Sequence, residues 1–229
     1  DDESLIRYLL RKRHTSPFEF CLVDLEMALP IFVERQWIRH RTGKTNEISA
    51  RYSQLPGEVF ELSTERIVRA PDANVNRQGS GEQFPEGDWS YFQERYNFST
   101  QNAVNTYNEF IDKGMAPEVA RMHLPLSTFT RKRWQCDLHN LLHFLGLRVD
   151  VHAQKEIRDY ANAVADFVKE LFPISYKAFK DYRLNSVTFS AQEIEILADY
   201  LRLKQTDIDT IVKTQSVAPK SKLGKTEIT

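Results

Sequence analysis

The residues able to do chemistry crowd into one stretch, RQWIRHRTGKTNEISARYS, from Arg35 to Ser53. Four arginines, a lysine and a histidine share nineteen residues with a single carboxylate, Glu47. A guanidinium is planar and grips a phosphate or a carbonyl edge with two hydrogen bonds. Gln36, Asn46 and Ser49 add neutral hydrogen bonds suited to a base or a sugar, and Tyr52 can stack or donate. Together these parts describe a nucleotide site. No Asp–His relay stands beside Ser49, so its hydroxyl reads as a donor to phosphate rather than as a nucleophile. Arg39, His40 and Arg41 fall at the expected end of a helix, where cations offset the helix dipole. Dipole compensation needs no three cations in a row. Successive helical residues point about 100° apart, so the trio fans toward more than one ligand.

Several elements must hold this stretch in place. Residues 3–14 repeat apolar side chains on one face (Leu5, Ile6, Leu9, Leu10) and predict an amphipathic helix. TSPFE makes a turn, and EFCLVDLEMAL (19–29) alternates as a strand. Pro30 suits the first turn of a helix PIFVERQWIRHR, with Gly43 as its stop. Residues 71–87 are the long turn-rich loop. Helical patterns resume at 88–114 and 117–123, and LSTFTRKRWQC (126–136) is extended. Asp137 caps a helix 137–148, followed by helices at 152–171, 173–182 and 190–203. The expected fold is α+β: one helix-rich domain over 1–213 with a small mixed or antiparallel sheet. The Lys/Ser/Thr-rich tail 214–229 reads as mobile.

Composition narrows the function classes. The formal net charge is −1, with 41% hydrophobic and 28% charged residues. That is the profile of an ordinary globular protein, and no apolar run has the roughly 18–20 residues of a membrane span. A general nucleic-acid binder is usually basic. A polymer-binding module using the Arg35–Arg51 cluster with Trp37 and Tyr52 is the second reading, and a helical scaffold the third. Two cysteines, Cys21 and Cys136, suit a reducing compartment. Cys21 reads as a small buried hydrophobe. His139 and His143 have the i, i+4 spacing of paired zinc ligands, but no third ligand follows. No metal is expected.

The motifs also carry a resemblance. RHRTGKTNEIS, continuing into ARYS, resembles the signature of the flavin-dependent thymidylate synthases (ThyX family). RHTSPFEF (13–20), NRQGS (76–80), EVARMHLPLSTFT (118–130), DLHNLLHFLGLR (137–148) and HAQKEIR (152–158) are similar to further family segments, in the family's order, over about residues 3–180. The resemblance implies reductive methylation of deoxyuridylate (dUMP) to thymidylate (dTMP). FAD would be the cofactor, NADPH the reductant and methylene-tetrahydrofolate the carbon donor, with no cysteine nucleophile. It implies a cytoplasmic, bacterial homotetramer with active sites shared between subunits, and neither a nucleic-acid polymer nor a membrane as partner.

Carried across position by position, the resemblance implies a deoxyuridylate site of Gln36, Trp37, Ile38, Arg39, Glu47, Ile48, Ser49, Ala50, Arg51, Arg121 and Arg148. Arg148 would be the catalytic group, stabilising negative charge on the uracil ring. By itself the residue reads as a cation at a helix C-terminus. The implied FAD set is His14, Ser16, Glu19, Arg39, His40, Arg41, Glu47, Asp137, Leu138, His139 and His143. Some family members have Asn and Arg where this chain has Asp137 and His139, and Asn where it has His143. The family usually has a strand-containing segment before the first helix, so part of the natural N-terminus is expected to be missing.

Overall fold

A computed structural model describes residues 2–72 and 79–201. Its elements run α1 (Asp2–Arg11), α2 (Ser16–Glu19), β1 (Leu22–Pro30), α3 (Ile31–Trp37), β2 (Lys44–Glu47), α4 (Glu86–Asp112), α5 (Pro117–Ala120), β3 (Phe129–Asp137), α6 (Leu138–Arg148), α7 (Lys155–Leu171), α8 (Pro173–Phe179) and α9 (Ala191–Leu201). The helix-rich α+β expectation holds, and the sheet is antiparallel throughout. Most of the NRQGS segment, and the tail 214–229, lie outside the described residues. No helix among them is long and apolar enough to cross a membrane.

The described residues form two units, one joining residues 2–17 with 165–201, the other Phe18–Val164. In the first, Arg7 pairs with Asp181 at 2.7 Å and lies over the Tyr182 ring. The second holds the sheet, in the order β1–β3–β2. β3 is central, with Leu22 opposite Asp137 on one side and Glu47 opposite Lys132 on the other. Along β3, Thr130, Lys132, Trp134 and Cys136 point inward, while Arg131 and Arg133 face solvent. That two-residue period is what a strand with one buried face requires. Behind it Trp37, Trp134 and Phe144 interlock, with ring centroids 4.4–5.6 Å apart.

Two local differences from the sequence reading bear on the site. The helix after Pro30 stops at Trp37 rather than near Gly43, and Ile38 caps it through Glu34 O. His40 N then bonds to Trp37 O at 2.9 Å, so Arg39–Arg41 lie in turns beyond the helix. Gly43 is required by close packing instead: a Cβ there would run into the Trp134 indole. Residues 44–47, for which the sequence predicts no element, form β2 because β3 offers them an open edge. The Asp137 cap is as expected, its Oδ1 accepting from Asn140 N at 2.9 Å.

Candidate active site

Helix α3 divides the candidate residues between two cavities. Ile31, Glu34, Arg35 and Ile38 recur at i, i+3, i+4 and i+7, which is one face of a helix. They line a cavity of about 510 Å³ with Glu47, Ile48, Ser49, Ala50, Thr130 and Arg121. Gln36 lies off that stripe, about 100° from Arg35 and about 200° from Glu34. It lines a second cavity of about 810 Å³, with Arg148, Arg66, Ser80, His152, Gln154, Lys155 and Arg158. The two cavities share no lining residue.

The first cavity is built on the end of β2. Thr130 Oγ1 donates to Glu47 Oε1 at 2.6 Å, and Ile48 N bonds to Arg131 O at 2.9 Å. The chain then turns, with Ser49 O accepting from the backbone N–H of Tyr52 and Ser53. Arg51 N lies 3.4 Å from Ser49 Oγ, and the Arg51 guanidinium pairs with Glu118 at 3.3 Å. That pair is half exposed, and such pairs contribute only about 0.2–1 kcal/mol, so an anion could draw Arg51 away at small cost. Under the cavity, Lys132 Nζ meets Glu34 Oε2 at 2.5 Å with both side chains buried. Burial pushes Glu34 up and Lys132 down, against their mutual attraction. Glu34 Oε1 is buried with no hydrogen-bond partner among the described residues.

In the second cavity Arg148 closes α6. Its Nε donates to His40 Nε2 at 3.0 Å and its Nη2 approaches Gln36 O at 3.4 Å. Burial draws Arg148 below its ordinary value, yet a guanidinium remains charged. His40 is pushed down to about 4, first by burial and then by the charges of Arg148, His143 and Lys132. Its ring sits edge-on to Phe144 at 4.8 Å and 6.4 Å from the His143 ring.

The remaining expected residues scatter by local role. Trp37 and Leu138 bury their side chains in the core, at 0% and 1% exposure, which leaves only their backbone for a ligand. Asp137 spends its carboxylate on Asn140, through the backbone N–H and through Nδ2 at 2.6 Å. Arg39 and Arg41 are exposed and have no ion-pair partner among the described residues. Such free guanidiniums can grip a phosphate group. His139 is half-buried and His143 exposed, both on α6. His14 and Ser16 belong to the first unit, where His14 stacks on Tyr8 at 6.3 Å, and Glu19 belongs to the second. No group of three or more His, Cys, Asp or Glu could hold a metal among the described residues.

Sequence reasoning missed Glu34, Lys132, Arg66, Gln154 and Glu156. Glu34 had a signal, because it shares the helical stripe of Ile31 and Ile38. Lys132 had one too, alternating in phase with Thr130 and Trp134. Gln154 and Glu156 lay inside the quoted HAQKEIR segment, but their contacts join distant parts of the chain.

A family model described as thymidylate synthase complementing protein matches residues 1–174. The flavin-dependent thymidylate synthase of Wolbachia pipientis wMel is 45% identical over 202 residues, covering 88% of this chain and 70% of the relative. That of Ruegeria pomeroyi is 45% identical over 201 residues, covering 86% and 66%. That of Treponema denticola is 43% identical over 209 residues, covering 91% and 78%. The chain thus spans roughly two thirds to three quarters of these relatives' lengths. Among solved structures, the UMP/dUMP methylase PolB from Streptomyces cacaoi bound with 5-Br dUMP superposes with a TM-score of 0.71 at 31% identity. That match covers 79% of this chain and 80% of PolB. With its sheet, its motif order and relatives of this identity, the chain belongs to the flavin-dependent thymidylate synthase family.

Proposed function

We propose that this protein methylates deoxyuridylate to thymidylate, with FAD as cofactor, NADPH as reductant and methylene-tetrahydrofolate as carbon donor. The observation that carries this reading is the division of the motif residues between the two flanks of α3. Ser49 and Arg121 line one cavity, and Gln36 and Arg148 line the other. Ser49, Arg121 and a released Arg51 supply hydroxyl and guanidinium donors for a phosphate. Arg148 is held between His40 and the backbone of Gln36, a fixed cation for the pyrimidine. One nucleotide cannot lie on both faces of one helix, so we assign each complete site to two copies of the chain in a homotetramer. One copy offers the Ser49–Arg121 half and the other the Gln36–Arg148 half.

Arg148 acts by electrostatic stabilisation. As the pyrimidine becomes a carbon nucleophile, negative charge spreads to its carbonyl oxygens. A preoriented guanidinium meets that charge without reorganisation. Because His40 accepts from Arg148 Nε and Gln36 O from Nη2, the guanidinium is held in place with Nη1 left for the ring. Arg39 and Arg41 would hold the flavin pyrophosphate, with His40, His139 and His143 toward the ring system. Bound flavin supplies hydride chemistry that no side chain can provide. Neither thiol is needed, and two free cysteines suit the cytoplasm, where we place the enzyme.

Arg121→Ala and Arg148→Ala chains, each inactive alone, test the assignment when co-expressed. A site shared between copies restores about a quarter of the activity, because one random pairing in four is intact in both halves. A mixture as inactive as its parts overturns the shared site. A colourless chain that neither takes up FAD nor forms thymidylate overturns the enzyme.

A further inference from the structure

The second cavity contains a hydrogen-bond relay whose polarity is fixed at one end. Arg66 forks onto Glu156, with Nε on Oε1 and Nη2 at 3.2 Å from Oε2. Its third nitrogen, Nη1, donates to Ser80 Oγ at 3.3 Å. Glu156 is 6% exposed, and a carboxylate gripped by a guanidinium only accepts. Gln154 therefore turns its Nε2 to Glu156, at 2.7 Å, and its Oε1 away. That oxygen can only accept, so Gln36 turns its Nε2 to Gln154, at 2.6 Å. The outcome is set at Gln36, whose Oε1 has no hydrogen-bond partner among the described residues.

We propose that Glu156, acting through Gln154, fixes the Gln36 amide with its oxygen free for the ligand and so makes the site read the pyrimidine edge. Arg148 lies against the backbone of the same Gln36. The pair thus offers a donor beside an acceptor. A uracil edge presents the complement, a carbonyl oxygen beside N3–H. A cytosine presents two acceptors there, its carbonyl oxygen and a bare N3, and N3 would face the Gln36 oxygen without a proton between them. Glu156 and Gln154 are positioning residues in this scheme, and Gln36 is the group that touches the base. The inference rests on the proposal that Gln36 and Arg148 meet deoxyuridylate.

The fixed polarity of the relay makes an isosteric test possible. In Glu156→Gln the new amide can donate as well as accept, so the relay is free to invert and Gln36 can present N–H. In Gln154→Met the relay is cut while the Arg66–Glu156 fork stays. Equilibrium dialysis of the full chain against deoxyuridylate and deoxycytidylate reads the ratio of the two dissociation constants. The intact protein should prefer deoxyuridylate about a hundredfold or more, as sites built to hydrogen-bond a donor do. Both variants should lose about tenfold of that ratio, roughly the worth of one hydrogen bond, with FAD content and oligomeric state unchanged. Gln154 is exposed, so its variant decides the matter if Glu156→Gln does not fold. Gln36→Met separates the two levels of inference. If it collapses the ratio while the relay variants keep it, Gln36 reads the base but the relay is wrong. If Gln36→Met changes neither affinity nor ratio, Gln36 does not touch the nucleotide and the site assignment falls with the relay.

Discussion

Arg148 Nε donates to His40 Nε2 at 3.0 Å, across 108 positions of sequence. The bond needs an unprotonated Nε2, so His40 is the Nδ1–H tautomer whenever it forms. The low value of His40, about 4, is the electrostatic counterpart of that geometry: a half-buried ring beside a fixed cation resists taking a proton. The pair aims Arg148 without adding a charge to the cavity.

Arg148→Ala should therefore abolish most thymidylate formation, by about a hundredfold or more, the usual effect of removing one preorganised donor at developing charge. Bound FAD should be retained. Arg148→Lys should rescue little, because an ammonium cannot donate to His40 and to the ring in the planar geometry of a guanidinium. Turnover with deoxyuridylate and the flavin absorbance of the purified variants check both. Near-normal turnover in Arg148→Ala would show that the activating group is elsewhere.

His40 also predicts a pH signature. Its folded value, about 4, lies below the ordinary 6.5. Between those two the unfolded chain takes up a proton that the folded chain refuses, so stability falls as pH drops from 6.5 toward 4 and this contribution then levels off. His40→Gln keeps an acceptor for Arg148 but cannot titrate. Urea midpoints at intervals from pH 7 to 4 should fall more steeply for the parent than for His40→Gln. Parallel profiles would show that His40 protonates freely in the folded state.

The Glu34–Lys132 pair gives a test of packing under the first cavity. Both side chains are buried, and among the described residues Glu34 meets Lys132 through Oε2 while Oε1 has no partner. Removing one partner strands the other charge, so Lys132→Met and Glu34→Leu should each destabilise by about 3–5 kcal/mol. The double variant should recover most of that loss, since a buried ion pair and an apolar pair of similar volume are often equal in stability. Chemical denaturation of the four chains closes the cycle. Additive losses would mean that the pair does not interact as the 2.5 Å contact implies.

How far the sequence could be read follows from how local each cause is. The strand β1, the proline start of α3 and the Asp137 cap depend on neighbouring residues, and all were legible. The early end of α3 was not, because Gly43 answers to Trp134, 91 positions away, rather than to the helix before it. β2 was unreadable for a similar reason: residues 44–47 are all exposed and show no alternation, and only the open edge of β3 makes them a strand. The motif residues can be named one by one from the sequence, but spacing alone could not separate Gln36 from Glu47. Their assignment to different cavities depends on which side of α3 each faces. The Arg66–Glu156–Gln154–Gln36 relay joins residues up to 118 positions apart and has no local pattern at all.

The cysteines supply the last test. A thymidylate-forming enzyme that attacked its pyrimidine with a thiol would need an accessible thiolate. Cys136 is 3% exposed on the inner face of β3, and burial, with the nearby Asp137 charge, pushes it up to about 12. That keeps it protonated near neutral pH, and it lines neither cavity. Cys21 stands just before β1, where its carbonyl accepts from Leu138 N at 2.8 Å and its side chain is half-buried. It lines neither cavity. The double variant Cys21→Ser, Cys136→Ala should therefore keep thymidylate formation within about threefold of the parent. Its stability cost should be about 1–2 kcal/mol, from the buried sulfur lost at Cys136. Turnover and a denaturation midpoint on the same preparation separate the two effects. A folded, FAD-bound double variant without activity would place a thiol in the reaction and overturn the electrostatic role assigned to Arg148.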